Sequence, residues 1–216
     1  DGMSTEKTEN RDKILKRTNS KNCAVTYEVL LSMKQSQRRE LVSGADIVYI
    51  YHNTIDAVGD KANTENQVFE ACNDAIEELK NLVRLIVNSM SGSNILITTD
   101  HGFLYSHEPL AESEKVSTGI VSENVFETGK RHMLANDVCD SDVLMHISMK
   151  EYADGLVGLT PYENVRIKKQ GGGTDFVHGG VSLQECCIPV ITFKNISKTS
   201  KKFVDIKKVR VKLISM

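Results

Sequence analysis

The sequence lacks the marks of several large protein classes. No apolar run approaches the ~18–20 residues a membrane-spanning helix needs. The cysteines, Cys23, Cys72, Cys139, Cys186 and Cys187, are odd in number and form no Cys-x-x-Cys pair. That pattern argues against a disulfide framework or a zinc ribbon and fits a reducing cytoplasm. There are 3 Pro, with no Pro- or Ser-rich linker and no internal repeat. The opening DGMSTEKTENRDKILKR is polar and charged, unlike a secretory leader. Net charge is only −2, with 26% charged residues, so the chain is not a disordered polyelectrolyte.

What is present fits a globular protein. The 216 residues, 40% hydrophobic with 14 Gly, suit one domain or two small ones. A chain of this length buries roughly 70% of its unfolded surface. Charge is unevenly spread. Residues 194–212 carry eight Lys/Arg against one Asp, whereas residues 1–193 carry 19 basic and 28 acidic residues. The boundary divides the chain into an α/β body, 1–193, and a basic segment, 194–216. In the latter, Val204, Ile206, Val211 and Leu213 interleave with Lys207, Lys208, Arg210 and Lys212. This reads as an exposed strand guarded by lysines, or a linker toward a further segment. A nucleic-acid or partner contact is the alternative, though no nucleic-acid motif accompanies it.

Hydrophobic periodicity gives the framework. Val25, Val29, Met33 and Leu41 predict helix within 23–43, and Asp46–Tyr51 reads as a buried strand. Thr64 and Gln67 form a capping-box pattern. Behind it, Val68, Cys72, Ile76, Leu79, Val83 and Ile86 recur with helical period to Ser89. Asn94–Thr98 follows as a second strand, giving a βαβ unit. Residues 103–130 are loop-rich with short strand candidates, Arg131–Ala135 is a strand candidate, and Asp137–His146 is spaced as a short helix. Gly171–Gly173 reads as a loop. Ser182 and Glu185 form another capping box, and Ile188–Phe193 a third buried strand. The three main strands, 46–51, 94–98 and 188–193, are expected as parallel neighbours in one sheet.

Chemistry concentrates at the strand ends, where open parallel sheets bind ligands. The first strand runs into His52, Asp56 and Asp60, the second into Asp100 and His101, and His178 precedes the last helix and strand. Asp56 and Asp60 alone would read as turn and capping residues. Together, the three groups favour a metal site, and their mixed carboxylate and imidazole donors suit Zn or Mn. His107, His132 and His146 lack such neighbours and read as surface or core histidines.

The strings YHNTIDAVGD, ILITTDHGFLY and HGGVSLQECCIPVI, in that order and spacing, resemble the PglZ domain. PglZ domains occur in bacterial phage-defence (BREX and phage-growth-limitation) proteins of the alkaline phosphatase superfamily. The resemblance runs from about residue 1 to residue 193. It implies a three-layer αβα domain with a mainly parallel sheet, and a two-metal phosphoesterase in which the ions lie about 4 Å apart. By resemblance, Asp56, Asp60 and His178 match one metal's ligands, and Asp100 and His101 match two ligands of the other. Many relatives have His where Asp60 stands, and His52 is a candidate substitute ligand. Arg131 is a candidate for the substrate phosphate. The family's first-strand Asp and its Thr or Ser nucleophile match nothing before residue 45. The resemblance therefore implies a C-terminal portion of the catalytic domain, inactive alone. The parent is expected to act on a phosphoester, such as a nucleotide or nucleic acid, beside other defence proteins. The alternative is a non-catalytic assembly module with a vestigial or structural metal site.

Overall fold

The computed structural model describes residues 2–108, 110–117, 124–136, 141–169, 171 and 173–196. Helix α1 (Thr8–Leu15) packs on strand β1 (Cys23–Thr26), and Asp12 Oδ1 accepts the Ala24 amide at 3.1 Å. Helices α2 (Tyr27–Ser32) and α3 (Gln35–Val42) lead to β2 (Val48–Tyr51). β1 and β2 pair in parallel, from Cys23↔Val48 to Thr26↔Tyr51. Buried Asn22 fixes their common start: its Oδ1 accepts the Asp46 and Ile47 amides at 2.9 and 3.0 Å. The helical expectation for 23–43 is thus corrected at its first four residues. Thr26 is extended and its hydroxyl accepts the Val29 amide, so the helix starts only after it.

After α4 (Thr54–Gly59) comes the long α5 (Val68–Met90). Leu82 and Met90 of α5 join Leu30 in a core lined by Val25, Met33, Leu41 and Ile50. The expected Thr64–Gln67 box does not form. Thr64 Oγ1 donates to the Val58 carbonyl at 2.7 Å, and Glu65–Gln67 make a 3₁₀ turn ahead of the helix. The helix stops where Ser91 turns left-handed, φ 59°. The Gly92 amide reaches back to the Ile86 carbonyl at 3.0 Å.

The second half is richer in strands. After β3 (Asn94–Thr98) come β4 (Leu104–Tyr105), β5 (Lys115–Val116), β6 (Val125–Thr128), β7 (Met133–Asn136), β8 (Leu144–Ser148) and β9 (Leu156–Pro161). They are followed by β10 (Arg166–Ile167), β11 (Phe176–Val177), the short α6 (Leu183–Cys186) and β12 (Val190–Lys194). An antiparallel sheet in the order β6-β7-β9-β8 encloses Met133, Ala135, Leu144, Leu159 and Ile167. Residues 144–146, expected as helix, belong to β8, where half-buried Met145 and Ile147 alternate with exposed His146 and Ser148. Residues 137–140 of that expected helix, with Cys139, lie outside the described residues.

The sheet arrangement also differs from expectation. β12 runs antiparallel to β3, with Val190 opposite Thr98 and Lys194 opposite Asn94. The cause is local. The Gly102 amide donates to the Glu185 carbonyl at 2.8 Å, and Thr98 Oγ1 donates to the Pro189 carbonyl at 2.9 Å. Both bonds hold the start of β12 at the C-terminal end of β3, so β12 must run back along it. β1–β2 and β3–β12 are separate pairs among the described residues. The architecture is α/β with small, mixed sheets. No helix among the described residues is long and apolar enough to cross a membrane. The basic stretch from 197 onward lies outside the described residues.

Candidate metal centre

Three chain segments carry the candidate donors to one place. Asp56 lies in the first turn of α4 and Asp60 is its C-cap, with the Asp60 amide bonded to the Asp56 carbonyl at 3.0 Å. One helical turn therefore sets the two carboxylates on the same side. Gly59 between them is buried, and a Cβ there would stand 2.7 Å from the Phe176 ring. Its absence lets β11 close on α4, which brings His178, two residues beyond Phe176, over Asp60. Asp100 and His101 leave the end of β3. Asp100 Oδ1 accepts the His101 amide at 3.1 Å and the Thr99 hydroxyl at 3.2 Å.

The imidazoles of His101 and His178 stack face to face, with centroids 4.0 Å apart and planes 6° from parallel. His178 Nε2 lies 3.5 Å from Asp60 Oδ1. His101 Nε2 lies 3.9 Å from Asp56 Oδ2 and 3.8 Å from Asp100 Oδ1. These separations exceed hydrogen-bond length. They approach the ~3.3 Å between two donors that each sit about 2.0–2.1 Å from a tetrahedral ion. His101 Nδ1 is 3.0 Å from the Gly102 carbonyl. A carbonyl only accepts, so Nδ1 donates there, and in the neutral ring that leaves the Nε2 lone pair on the side of the carboxylates. The donor chemistry thus fits a divalent ion. The side chains stand in pairs: among the described residues, no three donors converge ready-made on one point.

The electrostatics bind the five residues together. Burial raises the Asp56 carboxyl above its usual range; His101 and His178 oppose this, while Asp60 and Asp100 add to it. For Asp100 burial also acts upward, but it is outweighed by His101, backbone amides and the Thr99 hydroxyl, and the carboxyl lies below its usual range. Half-buried Asp56 feels the charges of the exposed Asp60 and Asp100 carboxylates, and a cation would relieve that repulsion.

His52 takes no part in this cluster. Its Nε2 lies 2.6 Å from Glu78 Oε2, which also accepts the Thr54 hydroxyl at 2.7 Å, and its ring packs on Tyr27. Arg131 is not placed to meet a phosphate, which corrects its expected role. It is 2% exposed, and its donors go to Glu185 at 3.2 Å and to the Glu163 and Val165 carbonyls at 2.8 and 2.5 Å.

The Arg131–Glu185 pair instead underpins both donor loops. Glu185 also accepts the Gly180 amide at 2.9 Å and the Ser182 hydroxyl at 2.7 Å, just past His178. Its own carbonyl holds Gly102, just past His101. Burial would raise the Glu185 carboxyl, but Arg131, Ser182 and the Gly180 amide hold it below its usual range. In the sequence Glu185 shows only as half of a capping box. That box does form: Ser182 Oγ accepts the Glu185 amide at 3.3 Å. His132, which the sequence reads as a surface or core histidine, has its ring packed between Gly129 and Gly179, where a Cβ would come within 2.4 Å of it.

Known proteins resemble the chain over nearly its whole length. Residues 1–193 match the family described as the BREX system PglZ alkaline phosphatase-like domain. The chain is 39% identical over 203 residues to the alkaline phosphatase-like protein BrxZ of Escherichia coli O9:H4 (strain HS), covering 93% of this chain and 23% of that protein. It is 40% identical over 215 residues to the alkaline phosphatase-like protein PglZ of Bacillus cereus (strain H3081.97), covering 97% of this chain and 24% of that protein. The chain thus spans about a quarter of the length of these curated relatives.

Proposed function

Because the chain belongs to the BREX-system PglZ alkaline phosphatase-like family, we propose that it supplies most of the metal-binding part of a divalent-metal-dependent phosphoesterase. The observation that carries this reading is the stacked His101–His178 pair with Asp56, Asp60 and Asp100 at 3.5–3.9 Å from its Nε2 atoms. In this reading Asp56, Asp60 and His178 hold one ion, Zn or Mn, and Asp100 and His101 contribute to a second. Bound there, such ions would supply Lewis-acid activation of a hydroxyl and neutralise charge on the phosphoryl oxygens.

The chain's own residues set the geometry for that chemistry. Gly102 keeps His101 Nδ1 as the donor, so that Nε2 faces inward. The Arg131–Glu185 pair fixes the loops carrying His101 and His178 relative to one another. Nearby hydroxyls are already engaged: Thr99 with Asp100 and the His101 carbonyl, Thr54 with Glu78. Neither is proposed as the attacking group. The proposal extends to residues 1–193 as part of a three-layer domain of a cytoplasmic defence protein that works beside other components of its system.

The test is hydrolysis by the full-length protein of an aryl phosphate monoester and diester, with Zn or Mn added. Metal-dependent turnover is expected, with loss of at least ~100-fold in Asp100→Ala and His101→Ala proteins that keep the wild-type melting temperature. A full-length protein inert with every metal and ester would favour a non-catalytic assembly role.

A further inference from the structure

Beside the acid and histidine cluster opens a cleft of about 480 Å³, lined by Asp60, Lys130, His132, Lys169, Phe176 and His178. One wall is the candidate metal site and the other is basic. Lys130 sits between β6 and β7, and its carbonyl accepts the Ile167 amide at 2.8 Å, which brings the end of β10 and Lys169 to the same wall. Neighbouring cations are neutralised: Lys168 reaches Glu112 at 3.0 Å and Lys115 reaches it at 2.8 Å. Among the described residues, neither the Lys130 nor the Lys169 ammonium has an ion pair or a hydrogen bond. Buried Nδ1 of His132, on the same cleft, likewise has no partner. Lys130 is half-buried. Burial lowers its pKa, Lys169 and Arg166 push the same way, and Glu65 and Asp60 oppose them. Half-buried Lys130 and exposed Lys169 line the same cleft, and two ammonium groups there without a counter-charge form a place an anion would stabilise.

We propose that this cleft is a second anion subsite, in which Lys130 and Lys169 take a phosphate adjoining the one held at the metal centre. The inference rests on the metal-site reading above and names its substrate class: a compact ester carrying at least two linked phosphates, of the diphosphate type. The cleft's size is that of small-ligand sites, 300–1,000 Å³ as a rough range, rather than of an extended groove. Asp60 shares the cleft and opposes an anion until a divalent cation neutralises it. The second phosphate is therefore held best when the metal is in place.

Binding to the full-length protein tests this by calorimetry at fixed free Mn²⁺, using orthophosphate, pyrophosphate and a thymidine dinucleotide with a 5′-phosphate. Pyrophosphate is expected to bind roughly tenfold or more tighter than orthophosphate. The double substitution Lys130→Met and Lys169→Met should erase that excess and leave orthophosphate within about twofold. Arginine at both positions should restore it, which separates a charge effect from misfolding. Pyrophosphate that keeps its advantage in the methionine variant, or that does not bind the wild-type protein, overturns the inference. So does a lysine-dependent advantage confined to the dinucleotide. Failure of the metal reading looks different: orthophosphate binding would be indifferent to Mn²⁺ and to Asp60→Ala, while lysine-dependent pyrophosphate binding persisted.

Discussion

The β6–β9 sheet and the β3–β12 ribbon are built from similar apolar residues and bury them very differently. In the sheet, Met133, Ala135, Leu144 and Leu159 are at most 1% exposed. In the ribbon, Leu96 is 61% exposed, Val190 65% and Ile191 54%. An apolar run announces a strand, but its burial depends on what packs over it. A neighbouring strand pair covers the sheet, with Ile167 of β10 packed against Met133, Ala135, Leu144 and Leu159. Among the described residues, nothing covers the ribbon in the same way. Asp100 and His101 leave the end of the ribbon's β3, and the Arg131–Glu185 pair joins sheet to ribbon, one partner just before β7 and the other, in α6, just before β12.

That contrast sets the order of expected effects. Glu185→Ala should be the most damaging change, because it leaves the Arg131 guanidinium buried without its counter-charge. A cost of about 3–5 kcal/mol is expected, read from denaturant unfolding. The same pair predicts a pH dependence. The folded Glu185 carboxyl lies below its ordinary value, so its contribution is present above the unfolded pKa of about 4.3 and is lost as pH falls below it. The Glu185→Gln protein should show a flatter decline between about pH 5 and pH 3; an unchanged acid limb would show that the pair does not hold the regions together.

Within the sheet, Leu159→Ala should cost about 2–5 kcal/mol, since the side chain is buried on all sides. In the ribbon, Val190→Thr should change stability by less than about 1 kcal/mol, because the residue already meets solvent. Comparable losses at the two positions, measured in the full-length protein, would mean that the ribbon is covered there.

The contrast also explains what could be read from the sequence. Asp100 and His101 stood out because they end an apolar strand, where neither has a packing reason to sit. The Ser182–Glu185 box was legible because both partners lie within one turn. β1 was not, since its four residues share helical spacing with α2 behind them. Thr64 was misread because a local pattern cannot show that the Val58 carbonyl competes for its hydroxyl. The direction of β12 depends on the bond from Gly102 to Glu185, across 83 residues of sequence. Arg131 could be recognised as special, but whether a guanidinium meets a phosphate or a buried carboxylate is decided only by which loop closes over it.

The central claim is that three donor segments, the α4 turn and the loops that follow β3 and β11, bind a divalent ion. Anomalous diffraction from crystals of the full-length protein, collected at the Zn or Mn edge after soaking, tests it most directly. The account predicts a peak between His178 Nε2 and the carboxylates of Asp56 and Asp60, at about 2.0–2.2 Å from the donors for Zn. That peak should be lost in the His178→Ala protein. Full occupancy at a place remote from these residues, or none at saturating metal, would contradict it.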